Sequence, residues 1–214
     1  MAKNNLYIIG AGDTGRELES WLADIPSGAR DWELRGFLHH GPNALDQYPS
    51  DLRVVGDWMT FPYSGNDMVV IGLSEIKYKI KLYEYLCGKV KFFTFVHPTV
   101  KFGKFTAVGE GSVIMPNCLI STNVKIGKCV FINIGSQIGH DVEIGDFSSV
   151  MSNVDFGGHA CLGKNVFVGT KATIMPGKKI APETMVGTGS VVISDILKAQ
   201  TVFGNPARGI APGK

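Results

Sequence analysis

The chain has 214 residues, 44% of them hydrophobic, and a net charge of only +2. That length carries one large domain or two small ones with a sizeable core, and the near-neutral charge with no basic run gives nucleic acid no purchase. No apolar run is long enough to span a bilayer, so no membrane insertion is expected. The opening MAKNNLYIIGAG lacks a signal peptide's apolar segment and cleavage site, which makes a cytoplasmic location the expectation.

In chain order, the first half alternates strand and helix patterns. LYIIG (residues 6–10) reads as a buried parallel strand. It leads into GAGDTGRELESWLAD, where Leu18, Trp21 and Leu22 have helical spacing. LRGFL (34–38) and MVVIG (68–72) are further strand candidates. IKYKIKLYEYL (76–86) is an amphipathic helix, and VKFFTFV (90–96) closes the series as a last strand. This alternation predicts a small parallel sheet with helices on its faces, over residues 1–95.

GAGDTG, residues 10–15, fits GxGxxG between a strand and a helix, the context that gives that motif meaning. Gly10, Gly12, Asp13, Thr14 and Gly15 are therefore candidates to hold a phosphate at a helix N-terminus. The dinucleotide version expects an acidic residue after the second strand. GFLHHGPN instead places His39 and His40 there, which argues against NAD. Two partly protonated histidines suit a phosphate, and a solvated loop tip accounts for them equally well. Glycine-rich loops of this kind also pack helix on strand with no ligand.

The second half follows another rule. From Phe102, every sixth residue through Val192 is Ile, Val, Leu or Phe. Glycine often follows, as at Gly103, Gly109, Gly127, Gly139, Gly145, Gly157, Gly163, Gly169 and Gly187. The residue two before is often small or β-branched. Six is neither a helical period nor simple alternation. It suits a triangular coil of three hexads, with aliphatics inward and stacked on their equivalents 18 residues later. The glycines are expected to serve positive φ or close backbone approach. The expected fold is thus mixed: a small α/β Rossmann-like domain over 1–95, then a left-handed parallel β-helix of hexapeptide repeats with a short C-terminal segment over 96–214.

Within IGSQIGHDVEIGDF (134–147) the repeat accounts for everything except His140 and Asp141. A histidine is suited to general-base work near neutral pH, and an adjacent carboxylate can orient it. Eighteen residues on, Gly158 in FGGHA places side-chain-free backbone beside His140. The plain alternative is a solvated turn histidine. His159, one coil and one residue away, reads as a neighbour before a base, and His97 before Pro98 as structural. Cys87, Cys118, Cys129 and Cys161 form no CxxC pair and no metal-ligand spacing, and none has an obvious base beside it.

IIGAGDTGRELESWL near the start, VHPTV (96–100), GHDVEIGDFSSV (139–150) and VFGNPAR (202–208), in this order, resemble the bacterial sugar O- and N-acetyltransferases of the hexapeptide-repeat class. These include sialic acid O-acetyltransferases and the N-acetyltransferases of bacillosamine and perosamine precursors. The resemblance implies acetyl-CoA as donor, no metal, a homotrimer with sites between neighbouring β-helices, and a nucleotide-linked amino sugar or another sugar as acceptor. It implies His140 as base and Asp141 as its partner. It also implies cofactor contacts near Ser149, Gly158, Gly187 and Gly189, and at Pro206 and Arg208 in the closing segment. Ser149 stands where some relatives carry a histidine. The glycine loop with His39 and His40 would then hold the nucleotide. N- and O-acetylation are not separable by motif. A different class, a non-catalytic or zinc-binding β-helix scaffold, would need several histidines from adjacent coils. His140 and His159 are one such pair, with no third ligand evident.

Overall fold

The protein is described here by a computed structural model covering residues 3–210, and it divides into two compact units, Met1–Phe95 and Val96–Lys214. The first unit contains β1 (Asn4–Ile9), α1 (Asp13–Leu22), β2 (Trp32–Leu38), β3 (Val54–Gly56), β4 (Asp67–Ile71), α2 (Ile76–Leu86) and β5 (Lys91–Phe92). Its strands make one parallel sheet in the order β3-β2-β1-β4-β5. Leu6, Ile8 and Ile9 of β1 are buried, as a central parallel strand covered on both faces requires. α1 buries Leu18 and Leu22 and α2 buries Leu82 and Leu86.

Two expectations change in this unit. β3 has no counterpart in the sequence reading, because three residues are too few to show a pattern. VKFFTFV is not one strand: only Lys91–Phe92 joins the first sheet, and Phe95–Val96 forms a separate short strand. The strand order reverses between β1 and β4, whose C-terminal ends lie side by side. A crevice opens at such a switch point in an open parallel sheet.

The second unit is a β-solenoid of the left-handed β-helix type. Two-residue strands recur every six residues and pair in parallel with the strand 18 residues away, as Gln137 with Asp155 and Ile138 with Phe156. From Ile114 to Val192 the repeat aliphatics are buried, together with Cys118, Val124, Val130, Val142, Val154 and Ala160 two residues ahead of them. The first two steps are the exceptions: Val108 is half-buried and Phe102 is 43% exposed. The Phe102 strand pairs with Leu119–Ile120 on one side only, so no earlier coil covers Phe102.

Serines occupy some inward positions and are fully buried. Ser112, Ser136 and Ser148 satisfy their hydroxyls by bridging coils. Ser136 Oγ donates to Met151 O at 3.0 Å and accepts from Val154 N at 3.3 Å. Ser112 and Ser148 repeat the pattern with Gly127 and Val130, and with Gly163 and Val166. A buried hydroxyl that both donates and accepts carries no unpaired polar atom.

The turns divide labour differently from the sequence expectation. Positive φ falls not on the glycine after each aliphatic but three residues after the aliphatic. It recurs every six residues from Phe105 to Gly189 and includes Asn117, Asn123, Asp141, Asn153, His159 and Asn165. The glycine after the aliphatic instead serves close approach: a Cβ on Gly145 would stand 2.5 Å from the Gly163 carbonyl carbon and oxygen. In the last coil the repeat shortens from 18 residues to 16, with Met185 pairing to Thr201. An antiparallel pair, Thr201–Phe203 with Arg208–Gly209, then ends the stack.

This geometry predicts that Gly145→Ala, which must push apart two backbone layers, lowers stability by about 1–3 kcal/mol. Gly177→Asn, at φ +71 with open space around it, should be nearly neutral. Chemical denaturation midpoints of the two variants test the distinction.

Candidate active site

The solenoid repeat stacks Asn123, Asp141 and His159 as successive corners of one edge, at φ 57, 58 and 61. Backbone bonds fix the column: Asp141 N donates to Thr122 O at 3.1 Å and His159 N to His140 O at 2.9 Å. Because Ile138 and Val142 point into the core, His140 and Asp141 between them stand on the outside of the turn.

Both Asp141 oxygens are engaged. Asn123 Nδ2 donates to Oδ1 at 2.5 Å, and His140 Nδ1 lies 2.8 Å from Oδ2. The Asn123 amide, then the His140 imidazole, hold the Asp141 carboxyl below the usual carboxylate range. An ionised carboxylate can only accept, so His140 Nδ1 carries the proton. In the neutral ring Nε2 is left with a free lone pair. The His140 side chain is 54% exposed and that of Asp141 32%, so a substrate can reach them. A Cβ on Gly158 would lie 2.5 Å from His140 Cε1 and Nε2: the imidazole fills the space that the glycine leaves.

His159 adjoins this pair. Its Nε2 is 3.7 Å from Asp141 Oδ2, and its ring meets that of His140 edge-on with centroids 5.0 Å apart. Asp141 therefore lies between two histidines and supplies the third ligand-type group that the sequence did not reveal. Asn123 was also missed. Counting back one coil from Asp141 was the signal that would have found it.

A shallow groove of about 630 Å³ runs along the face built by strands such as Leu119–Ile120, Gln137–Ile138 and Asp155–Phe156. Gly139 and Gly157 line it, and each directly precedes a residue of the His140–Gly158 contact. The other residues implied for the cofactor scatter. Ser149 is fully buried, flanked in register by Phe131 and Phe167, so its hydroxyl is closed to a ligand. Gly187 lies under Phe203, where a Cβ would stand 2.2 Å from the ring, which accounts for that glycine by packing. Gly189 takes a turn at φ +67 with nothing around it. Pro206 and Arg208 are exposed in the closing segment. His97 is buried and bonded to Thr99. Burial pushes the Cys118 thiol up to about 11, too high for a thiolate nucleophile near neutral pH.

In the first unit a cavity of about 290 Å³ sits at the switch point. Ile9, Gly10, His39, His40, Trp58, Leu73, Tyr78, Lys81 and Leu82 form its wall. It brings together Gly10, His39 and His40 of the sequence prediction. Gly15 belongs to packing instead: a Cβ there would come 1.9 Å from Gly10 O, so the glycine lets α1 close on β1. Gly12 and Asp13 are exposed at the start of α1, and Asp13 pairs with Arg16. Thr14 is half-buried in the same turn.

The acidic residue absent after β2 is supplied from the end of β3. Asp57 Oδ2 is 2.5 Å from His40 Nδ1, and Asp57 Oδ1 accepts from Met59 N at 2.8 Å. Desolvation pushes the Asp57 carboxyl up. The bonds from His40 and Met59, with the charges of His40 and His39, outweigh it and hold the group below the usual range. His39 Nδ1 faces the Gly41 backbone, 2.9 Å from its nitrogen and 3.2 Å from its carbonyl oxygen. Trp58, Tyr78 and Lys81 had no local signal in the sequence.

No protein-family model matches the chain. It is 32% identical over 121 residues to GDP-perosamine N-acetyltransferase of Escherichia coli O157:H7, covering 54% of each chain. It thus spans about half the length of that curated relative. In fold it matches the acetyltransferase domain of PglB from Neisseria gonorrhoeae FA1090 in complex with acetyl coenzyme A. The TM-score is 0.87 at 21% identity, over 97% of this chain and 100% of the other. It also matches PerB from Caulobacter crescentus in complex with CoA and GDP-perosamine, with a TM-score of 0.86 at 22% identity over 97% of both chains. The chain is therefore similar in fold, along nearly its whole length, to hexapeptide-repeat sugar N-acetyltransferases.

Because the Asn123 amide is the leading cause of the depressed Asp141 pKa, Asn123→Ala should raise that pKa toward the ordinary value. Carboxyl-carbon NMR titration checks it. An unchanged Asp141 pKa would show that the Asn123 bond does not form in solution.

Proposed function

We propose that this protein is an acetyl-CoA-dependent acetyltransferase that modifies the amine of a nucleotide-linked amino sugar. The observation that carries the reading is the exposed His140–Asp141 pair seated over Gly158 on a solenoid corner. The similarity to GDP-perosamine N-acetyltransferase over half the chain supports it.

In the proposed reaction the acceptor amine attacks the thioester carbonyl carbon. His140 Nε2 takes the proton that the nitrogen must shed, and Asp141 stabilises the imidazolium. Collapse of the tetrahedral intermediate breaks the C–S bond. The imidazolium returns the proton to the departing thiolate, giving an acetamide and CoA. The pantetheine arm would lie along the groove beside Gly139 and Gly157, with the adenine end toward Pro206 and Arg208.

The first unit, read as a Rossmann-like substrate domain over 1–95, would hold the nucleotide in the cavity at the switch point. There the Lys81 ammonium, the His39 and His40 rings and the Trp58 surface offer charge and stacking. The second unit, 96–214, would be the transferase domain. The reading includes a homotrimer in the cytoplasm. Among the described residues no helix is long and apolar enough to cross a membrane.

The test is free-thiol release from acetyl-CoA against UDP-, GDP- and dTDP-linked 4-amino sugars. One of these should react, and His140→Ala should lower kcat by roughly 10²–10⁴-fold. Near-normal turnover in the variant would remove His140 from the base role. Reaction only with hydroxyl acceptors would move the enzyme to O-acetylation. Lys81→Ala should raise KM for the nucleotide sugar while leaving KM for acetyl-CoA unchanged.

A further inference from the structure

The His140–Asp141–His159 corner has a property that acyl transfer does not require. One side-chain donor atom from each residue lies within 4.8 Å of the other two. His140 Nδ1 and His159 Nε2 stand 2.8 Å and 3.7 Å from the same oxygen, Asp141 Oδ2. A tetrahedral zinc ion with bonds of about 2.0–2.1 Å separates its ligands by about 3.3 Å, between those two values. Two imidazoles and one carboxylate with a fourth position open to water are a donor set that zinc accepts.

The scaffold has already ordered these ligands. The backbone bond from His159 N to His140 O ties the two coils together at 2.9 Å. Asn123 holds Asp141 Oδ1, which leaves Oδ2 directed at both histidines, as a second-shell donor does in a metal site. All three side chains reach solvent, at 54%, 32% and 66% exposure, so an ion has an open path.

We propose that this corner is a zinc(II) site, in which the ion acts as a reversible inhibitor and not as a resident cofactor. Zinc inserted between His140 Nδ1 and Asp141 Oδ2 replaces the hydrogen bond that orients the imidazole. It also places a dication where a proton acceptor is needed. Binding depends only on the three ligands. Inhibition additionally rests on the acetyltransferase reading, in which His140 is the base.

The two parts are measured separately. Calorimetric titration of the full chain with zinc chloride, without CoA or chelating buffer, should give one ion per chain. His159→Asn removes the imidazole but keeps a residue that the solenoid already uses at its left-handed corners, as at Asn117 and Asn153. That variant should therefore fold normally and bind zinc at least about 10-fold more weakly. In the thiol-release assay, wild type should be inhibited by zinc and restored by EDTA. His159→Asn should turn over and need at least about 10-fold more zinc for the same inhibition. The absence of one-to-one binding, or binding that His159→Asn and His140→Ala both leave intact, overturns the site. Zinc that co-purifies and is required for turnover overturns the inhibitory role. Failure of every acceptor in the assay would count against the acetyltransferase reading alone, since calorimetry still decides the site.

Discussion

Parallel coils must lie one strand spacing apart, about 4.8 Å, and that distance governs the second unit. It demands glycine where successive layers nearly touch, as at Gly145 against Gly163. It lets a serine hydroxyl bridge two coils. It also converts sequence separations of 18 residues into contacts. Asn123, Asp141 and His159 are distant along the chain, yet each is the next one's neighbour on a single edge. The geometry of the candidate site follows from that column more than from any local motif.

The inward positions of the repeat were legible because burial imposes a strict rule on residue type. The corners were not. A left-handed corner at Phe105, Cys129, Phe147, Lys171 or Glu183 carries no compositional mark, since the backbone ladder enforces the conformation on whatever residue falls there. Asn at 117, 123, 153 and 165 is the visible trace, as Asn tolerates positive φ better than most residues. The sequence left glycine two reasons, positive φ or close approach, and for the glycine after each aliphatic it is the second that holds. His140 over Gly158 was readable by counting one coil forward. Asn123 required counting one coil back.

The first unit was legible as alternating strand and helix, and its pocket only in part. Gly10, His39 and His40 mark the ends of β1 and β2, and the switch point brings them together. Asp57, Trp58, Tyr78 and Lys81 come from segments with other local duties. The carboxylate missing after β2 returns from the neighbouring strand end and meets His40, a substitution that only strand order reveals. Ser149, singled out only through the resemblance, is fully buried in the folded chain.

The central claim is that the chemistry belongs to an imidazole resting on Gly158. The most direct measurement is the rate of acetyl transfer by Gly158→Ala, taken with its melting temperature. The added methyl would stand 2.5 Å from His140 Nε2, and its three nearest neighbours are all atoms of that ring. The account predicts a normally stable protein with its turnover severely reduced because the base is displaced. A Gly158→Ala protein with full turnover would contradict it.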